Sequence, residues 1–127
     1  MNKIVKQDKK IENWKNYKPF HKKNLYLPEY CVKDAIDTAK AISRGLSEKF
    51  QAEKVVLFGS LAKNRITKNS DIDLAVWNMP NDLFYKAAAF ATGYSTKWNV
   101  DLVDFNDCKE SLKKAILSEG IILSENE

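Results

Sequence analysis

From Pro28 onward, apolar residues recur at steps of three and four: Val32, Ala35, Ile36, Ala39, Ile42, Leu46 and Phe50. That spacing lays them in one stripe along an amphipathic helix, and Pro28, with its fixed φ and no amide hydrogen, suits the first turn. Gly45 weakens this helix late without ending it. The period then changes. Val55 to Phe58 is a β-branched and aromatic run too short for a helix, so it reads as a strand that Gly59-Ser60 brings to an end. Leu61 to Ser70 is polar and irregular, with room for one helical turn at Ser60 to Lys63, before a second strand from Asp71 to Trp77. Pro80-Asn81-Asp82 opens a second helix of about three turns carrying Leu83, Phe84, Ala87, Ala88 and Ala91, with Gly93 at its end. Trp98 to Phe105 reads as a third strand. Asp107 and Glu110 form a capping pair for a third helix with Leu112, Ala115 and Ile116, stopped at Gly120. Ile121 to Leu123 makes a short final strand or docking segment. The order helix, strand, strand, helix, strand, helix, without internal repeat, predicts a single α/β (α+β) domain: a small mixed sheet with helices packed mainly on one face.

The first 27 residues lie outside this pattern, with no sustained period and Pro19 in their middle. Charge separates them too. Residues 1–25 hold eight lysines against Asp8 and Glu12, 8 − 2 = +6, so the total of +4 leaves 4 − 6 = −2 for the rest. A slightly acidic body thus carries a basic arm dotted with Trp14, Tyr17, Phe20 and His21. Contact with nucleic acid or an acidic partner is one reading of it, and a solvated terminal extension is the favoured one. His21 is the only histidine and has no Ser or Cys nucleophile beside it in sequence. The chain's 127 residues suffice for one core without disulfides. Cys31 and Cys108 stand far apart in no metal-binding spacing and read as reduced thiols of a cytoplasmic protein. No apolar stretch approaches a membrane span, and Met1 to Lys10 lacks the apolar run of a secretory signal.

The chemistry concentrates between Phe58 and Leu74. A glycine just after a strand lets backbone approach a phosphate, amides at the start of a helical turn point a positive dipole end at it, and Ser60 adds a hydroxyl. Side chains two apart on a strand share a face, so Asp71 and Asp73 stand side by side, about 6.6 Å apart along the backbone, while Ile72 and Leu74 face the core. Asp101, in the apolar run W-N-V-D-L-V-D-F, adds a third carboxylate, whereas Asp104 falls on the opposite strand face and takes a structural or capping role. Magnesium prefers oxygen ligands and bridges carboxylates to substrate phosphates, so this set suits a two-metal phosphoryl centre. No Walker A loop is present. Trp77 and Trp98 flank the site strands and are assigned to packing.

A Gly-Ser turn, an Asp-x-Asp strand and a later strand with a third carboxylate, in that order, resemble the polymerase-β-like nucleotidyltransferase superfamily. The match is nearest to its minimal nucleotidyltransferases and covers about residues 30 to 124. Charge and periodicity divide the chain into a basic N-terminal extension, 1–27, and a body, 28–127, which the resemblance makes a nucleotidyltransferase domain. The resemblance implies Gly59, Ser60 and Lys63 at the triphosphate of ATP, and Asp71, Asp73 and Asp101 as catalytic ligands of two magnesium ions. It further implies transfer of AMP to a hydroxyl of a partner protein, a HEPN-type toxin for which the chain is the antitoxin, with higher oligomers left open. The alternative is a non-catalytic antitoxin-like module that inhibits by contact. Many relatives carry Ala-Arg-Gly after the turn, where this chain has Ala62-Lys63-Asn64. Lysine keeps the charge without the bidentate fork, and asparagine tolerates the left-handed backbone of a glycine.

Overall fold

The structure, a computed structural model, describes residues 26–126. The basic arm, His21 included, lies outside the described residues. Helix α1, Glu29–Phe50, buries the predicted stripe at Val32, Ala35, Ala39, Ile42 and Leu46, and runs unbroken through Gly45. Pro28 sits just before it, at the N-cap position and not within the first turn. The helix stops at Gln51, whose left-handed φ of 60° turns its amide back to the Leu46 carbonyl. Strand β1, Lys54–Phe58, follows, then a single turn of helix, α2, Gly59–Ala62.

After the loop come β2, Ile72–Trp77, α3, Asn81–Gly93, and β3, Val100–Asp104. Two details of this stretch depart from the expected pattern. Trp98 is not in β3: it is buried, and its indole Nε1 donates to Asp34 Oδ2 on α1 at 2.8 Å. The Asp107–Glu110 capping pair does not form either, since helix α4, Glu110–Glu119, has Lys109 at its N-cap and no side-chain cap. The chain instead makes a 3-10 turn over Phe105–Asp107, where Asp104 accepts from the Asn106 amide at 3.1 Å, and that carboxylate takes the capping role. Phe105 stacks on Trp77 at 4.1 Å between ring centroids, which anchors the turn. Gly120 is the C-cap of α4, its amide donates to the Ile116 carbonyl, and a Cβ there would collide with that oxygen and with Val56; the last strand, β4, is Ile121–Glu125.

The four strands form one sheet in the order β3-β2-β1-β4. β1 pairs antiparallel with β2 and β4, while β2 and β3 run parallel, as a crossover through α3 requires. Alternation along the strands then divides the side chains between two faces. Val55, Leu57, Ile72, Leu74, Val76, Val100 and Leu102 pack with α1 and α3 in the larger core. Val56, Phe58 and Ala75 turn to the other face, where Ile116 of α4 covers them with Leu112 and Phe105 around the edge. The first face is the thicker one, so helical cover lies mainly there. Asp73 belongs by alternation to the thinly covered second face, and the site is built on it.

Candidate active site

Strand pairing brings Asp73 and Asp101 together, while Asp71 falls just ahead of β2 and not within it as expected. Asp73 has Phe58 as its partner on β1 and Asp101 as its partner on β3. The Ile72 amide donates to the Asn99 carbonyl at 2.8 Å, which draws the segment just ahead of β2 against the one ahead of β3. Asp71 immediately precedes β2 and is exposed, as is Asp101, while Asp73 between them is half-buried. Burial, then the charges of Asp101 and Asp71, push the Asp73 carboxyl up from 3.8 to about 6. Among the described residues no side chain donates a hydrogen bond to Asp73 or pairs with it as a cation.

Gly59 sits directly over that carboxylate. Its φ of +75° is in the left-handed region that a side chain disfavours, and any Cβ would collide with Asp73 Oδ2. Glycine is therefore required twice over, by backbone and by contact. The start of α2 brings its first amides beside the acidic group, and these amides have no partner within the helix. Ser60 is exposed next to them, and its carbonyl accepts from the amides of Lys63 and Arg65, which closes the turn. Asn64 holds φ at +61°, the left-handed backbone expected of it. Lys63 is placed differently from the other candidates: its Nζ pairs with Glu119 Oε2 at the end of α4, at 2.8 Å. Glu119 carries no signal in the sequence that would have singled it out, since its contact with Lys63 depends on where α4 crosses the sheet.

Among the described residues, no three His, Cys, Asp or Glu side chains are gathered into a ready-made cage for a metal. The three aspartates form an open array instead. Such an array fits magnesium, which takes one or two carboxylates and completes its octahedron with water and substrate phosphates. The unneutralised, half-buried Asp73 fits a cation for a second reason, because a charge held out of water without a counter-ion is costly and a bound cation offsets it.

The Polymerase beta, Nucleotidyltransferase family matches residues 40–127, well over half of the chain. The chain belongs to that family. Its fold is also that of several solved structures. A chain of a toxin-antitoxin crystallised with AMP-PNP superposes with a TM-score of 0.57 at 24% identity, covering 72% of this chain and 75% of that one. A structure of tri-AMPylated Shewanella oneidensis HEPN toxin in complex with MNT antitoxin gives 0.51 at 21%, covering 75% and 73%. A minimal nucleotidyltransferase gives 0.57 at 22%, covering 71% of this chain and 93% of that one. At these identities the likeness is one of fold. None of the curated proteins matches the chain by sequence. No helix among the described residues is long and apolar enough to cross a membrane.

Proposed function

We propose that this nucleotidyltransferase moves AMP from magnesium-bound ATP to a hydroxyl of a partner protein, and that the partner is a HEPN-type toxin in the cytoplasm. The observation that carries the reading is Gly59, forced into a left-handed backbone directly against Asp73, with Asp101 paired beside it. That arrangement puts amide donors for phosphate next to carboxylates for a cation. Asp71, Asp73 and Asp101 would hold the magnesium, which supplies Lewis-acid neutralisation of the phosphoryl charge. The first amides of α2 and the Ser60 hydroxyl bind phosphate oxygens. Asp101 is exposed, so an acceptor hydroxyl on a large partner can reach it, and the open sheet face leaves space for that partner. The acceptor oxygen bonds to the α-phosphorus, the bond to the bridging oxygen breaks, and pyrophosphate leaves. Support from relatives is of the same kind: solved neighbours include a toxin-antitoxin with AMP-PNP and an AMPylated HEPN toxin held by its antitoxin.

A second reading, inhibition by contact alone, is favoured by one feature: the Lys63 ammonium is engaged by Glu119 and not left free for a triphosphate. Radiolabel transfer from α-labelled ATP to the co-expressed partner separates the two. Asp101→Asn is expected to keep most magnesium-ATP affinity and to lower transfer by about two orders of magnitude, ~2.7 kcal/mol of transition-state stabilisation. Equal transfer by wild type and variant, including none by either, would leave contact inhibition as the reading.

A further inference from the structure

The two edges of the sheet are built differently. The β3 edge carries Asp101 and Asp104, and charges on an edge strand keep other strands away. The β4 edge reads Ile-Ile-Leu-Ser before its first charge, Glu125. Ile121 and Ile122 are 46% and 52% exposed, and Leu117, on the last turns of α4, is 67% exposed. Among the described residues these three are the only large aliphatic side chains so exposed; the other exposed large apolar residues are all tyrosines. Ile121 and Ile122, side by side on an unpaired edge strand, mark a contact site.

Beside this edge runs a groove of about 510 Å³ between α1 and β4, lined by Lys40, Arg44, Ser47, Glu48, Ile121 and Ile122 among others. The two elements run in the same direction. β1 returns antiparallel to α1 after a short turn, β4 is antiparallel to β1, and the Ser47 and Ser124 hydroxyls are bonded at 2.7 Å. Lys40 and Arg44 therefore lie toward the start of β4 and Glu48 toward its end, where Glu125 is already paired with Lys54 at 3.7 Å. The groove thus runs from a basic end, past the two isoleucines, to the Glu48 carboxylate.

We propose that a second copy of this chain docks on this edge, antiparallel across a two-fold axis. Only the antiparallel direction sets the acidic end of each copy on the basic end of the other, and a two-fold contact makes one such patch sufficient for both partners. The bulge where β4 shifts register against β1 turns Leu123 inward to the core, so Ile121 and Ile122 provide the apolar centre of the contact. The aspartates stay open in such a dimer, because β1 separates β4 from β2 and β3. The proposal stands apart from the reaction assigned to the site.

Sedimentation of the full chain, alone and at increasing concentration, tests it. Wild type is expected to pass from monomer to dimer, and Ile122→Glu to weaken the dimer at least about tenfold, as for loss of a buried apolar anchor. At a concentration where wild type is itself monomeric, the melting temperature and magnesium-ATP binding of the variant should match those of wild type. Lys40→Glu should also weaken the dimer, and Lys40→Glu combined with Glu48→Lys should restore it, which a parallel or unrelated contact would not do. A wild type that stays monomeric, or a dimer indifferent to Ile122→Glu and Lys40→Glu, overturns the proposal. So does an Ile122→Glu variant that is unchanged in mass yet loses its protein partner, since the edge would then belong to that partner.

Discussion

Replacing Asp73 by asparagine should make the protein more stable and less able to bind its substrate, with a pH signature that identifies the cause. The Asp73 carboxyl is pushed from 3.8 to about 6, first by burial, then by Asp101 and Asp71. Its folded value lies above its unfolded value, so the folded state holds the proton more tightly. The stability it contributes is fully present below 3.8, declines as pH rises, and is lost above about 6. A shift of about two pH units corresponds to a ceiling of about 3 kcal/mol. Because the side chain is only half-buried, solvent screening reduces this to about 1–2 kcal/mol. Asparagine keeps the shape and does not titrate. In urea denaturation without magnesium, the stability of Asp73→Asn relative to wild type should therefore grow by about 1–2 kcal/mol between pH 4 and 7, as ionisations away from the aspartate cluster cancel in the difference. Magnesium with ATP should then stabilise wild type by linkage and leave Asp73→Asn nearly unaffected. Parallel stability curves for the two proteins across that pH range would refute the account of Asp73 as an uncompensated carboxylate.

Three further substitutions probe the turn and its neighbour. Gly59→Ala should cost roughly 1–2 kcal/mol through the left-handed backbone alone, with the collision at Asp73 adding to it, so thermal unfolding should show a lowered Tm and calorimetry a loss of ATP binding; wild-type affinity in that variant would rule out a phosphate-cradling turn. Ser60→Ala should weaken magnesium-ATP binding by about 1–3 kcal/mol with the melting temperature unchanged, as expected for a hydrogen bond to a charged group on an exposed side chain. Glu119→Gln should change stability by less than about 1 kcal/mol, as for other exposed ion pairs. It should also raise magnesium-ATP affinity by releasing Lys63, and an affinity that stays the same when Lys63→Ala is added would remove Lys63 from the triphosphate site.

The elements were legible from the chain because each rests on local periodicity: the stripe along α1, the short β-branched run of β1, the proline before α3 and the glycine after α4. The order of Gly59-Ser60, Asp71, Asp73 and Asp101 likewise pointed to a phosphoryl centre before any pairing was known. Asn64 does hold the left-handed backbone that its side chain tolerates in place of the relatives' glycine. Local signals failed where a distant partner competed for the chain. Trp98 leaves the strand pattern because α1 offers Asp34 to its indole, and Asp107 misses its cap because Asp104 and the Trp77–Phe105 stack draw the chain into a 3-10 turn first.

Strand direction and register belong wholly to the tertiary structure. Parallel pairing of β2 with β3 sets Asp73 beside Asp101, antiparallel pairing with β1 brings Gly59 over the same carboxylate, and the crossing of α4 places Glu119 on Lys63. None of these follows from spacing, because periodicity records which face a residue turns and not which strand comes to lie beside it. The sequence by itself determined which chemistry-bearing side chains the chain carries and in what order. Long-range burial of two apolar faces decided where Asp73 and Asp101 meet, and with it that Asp73 is held half out of water while Asp101 stays exposed.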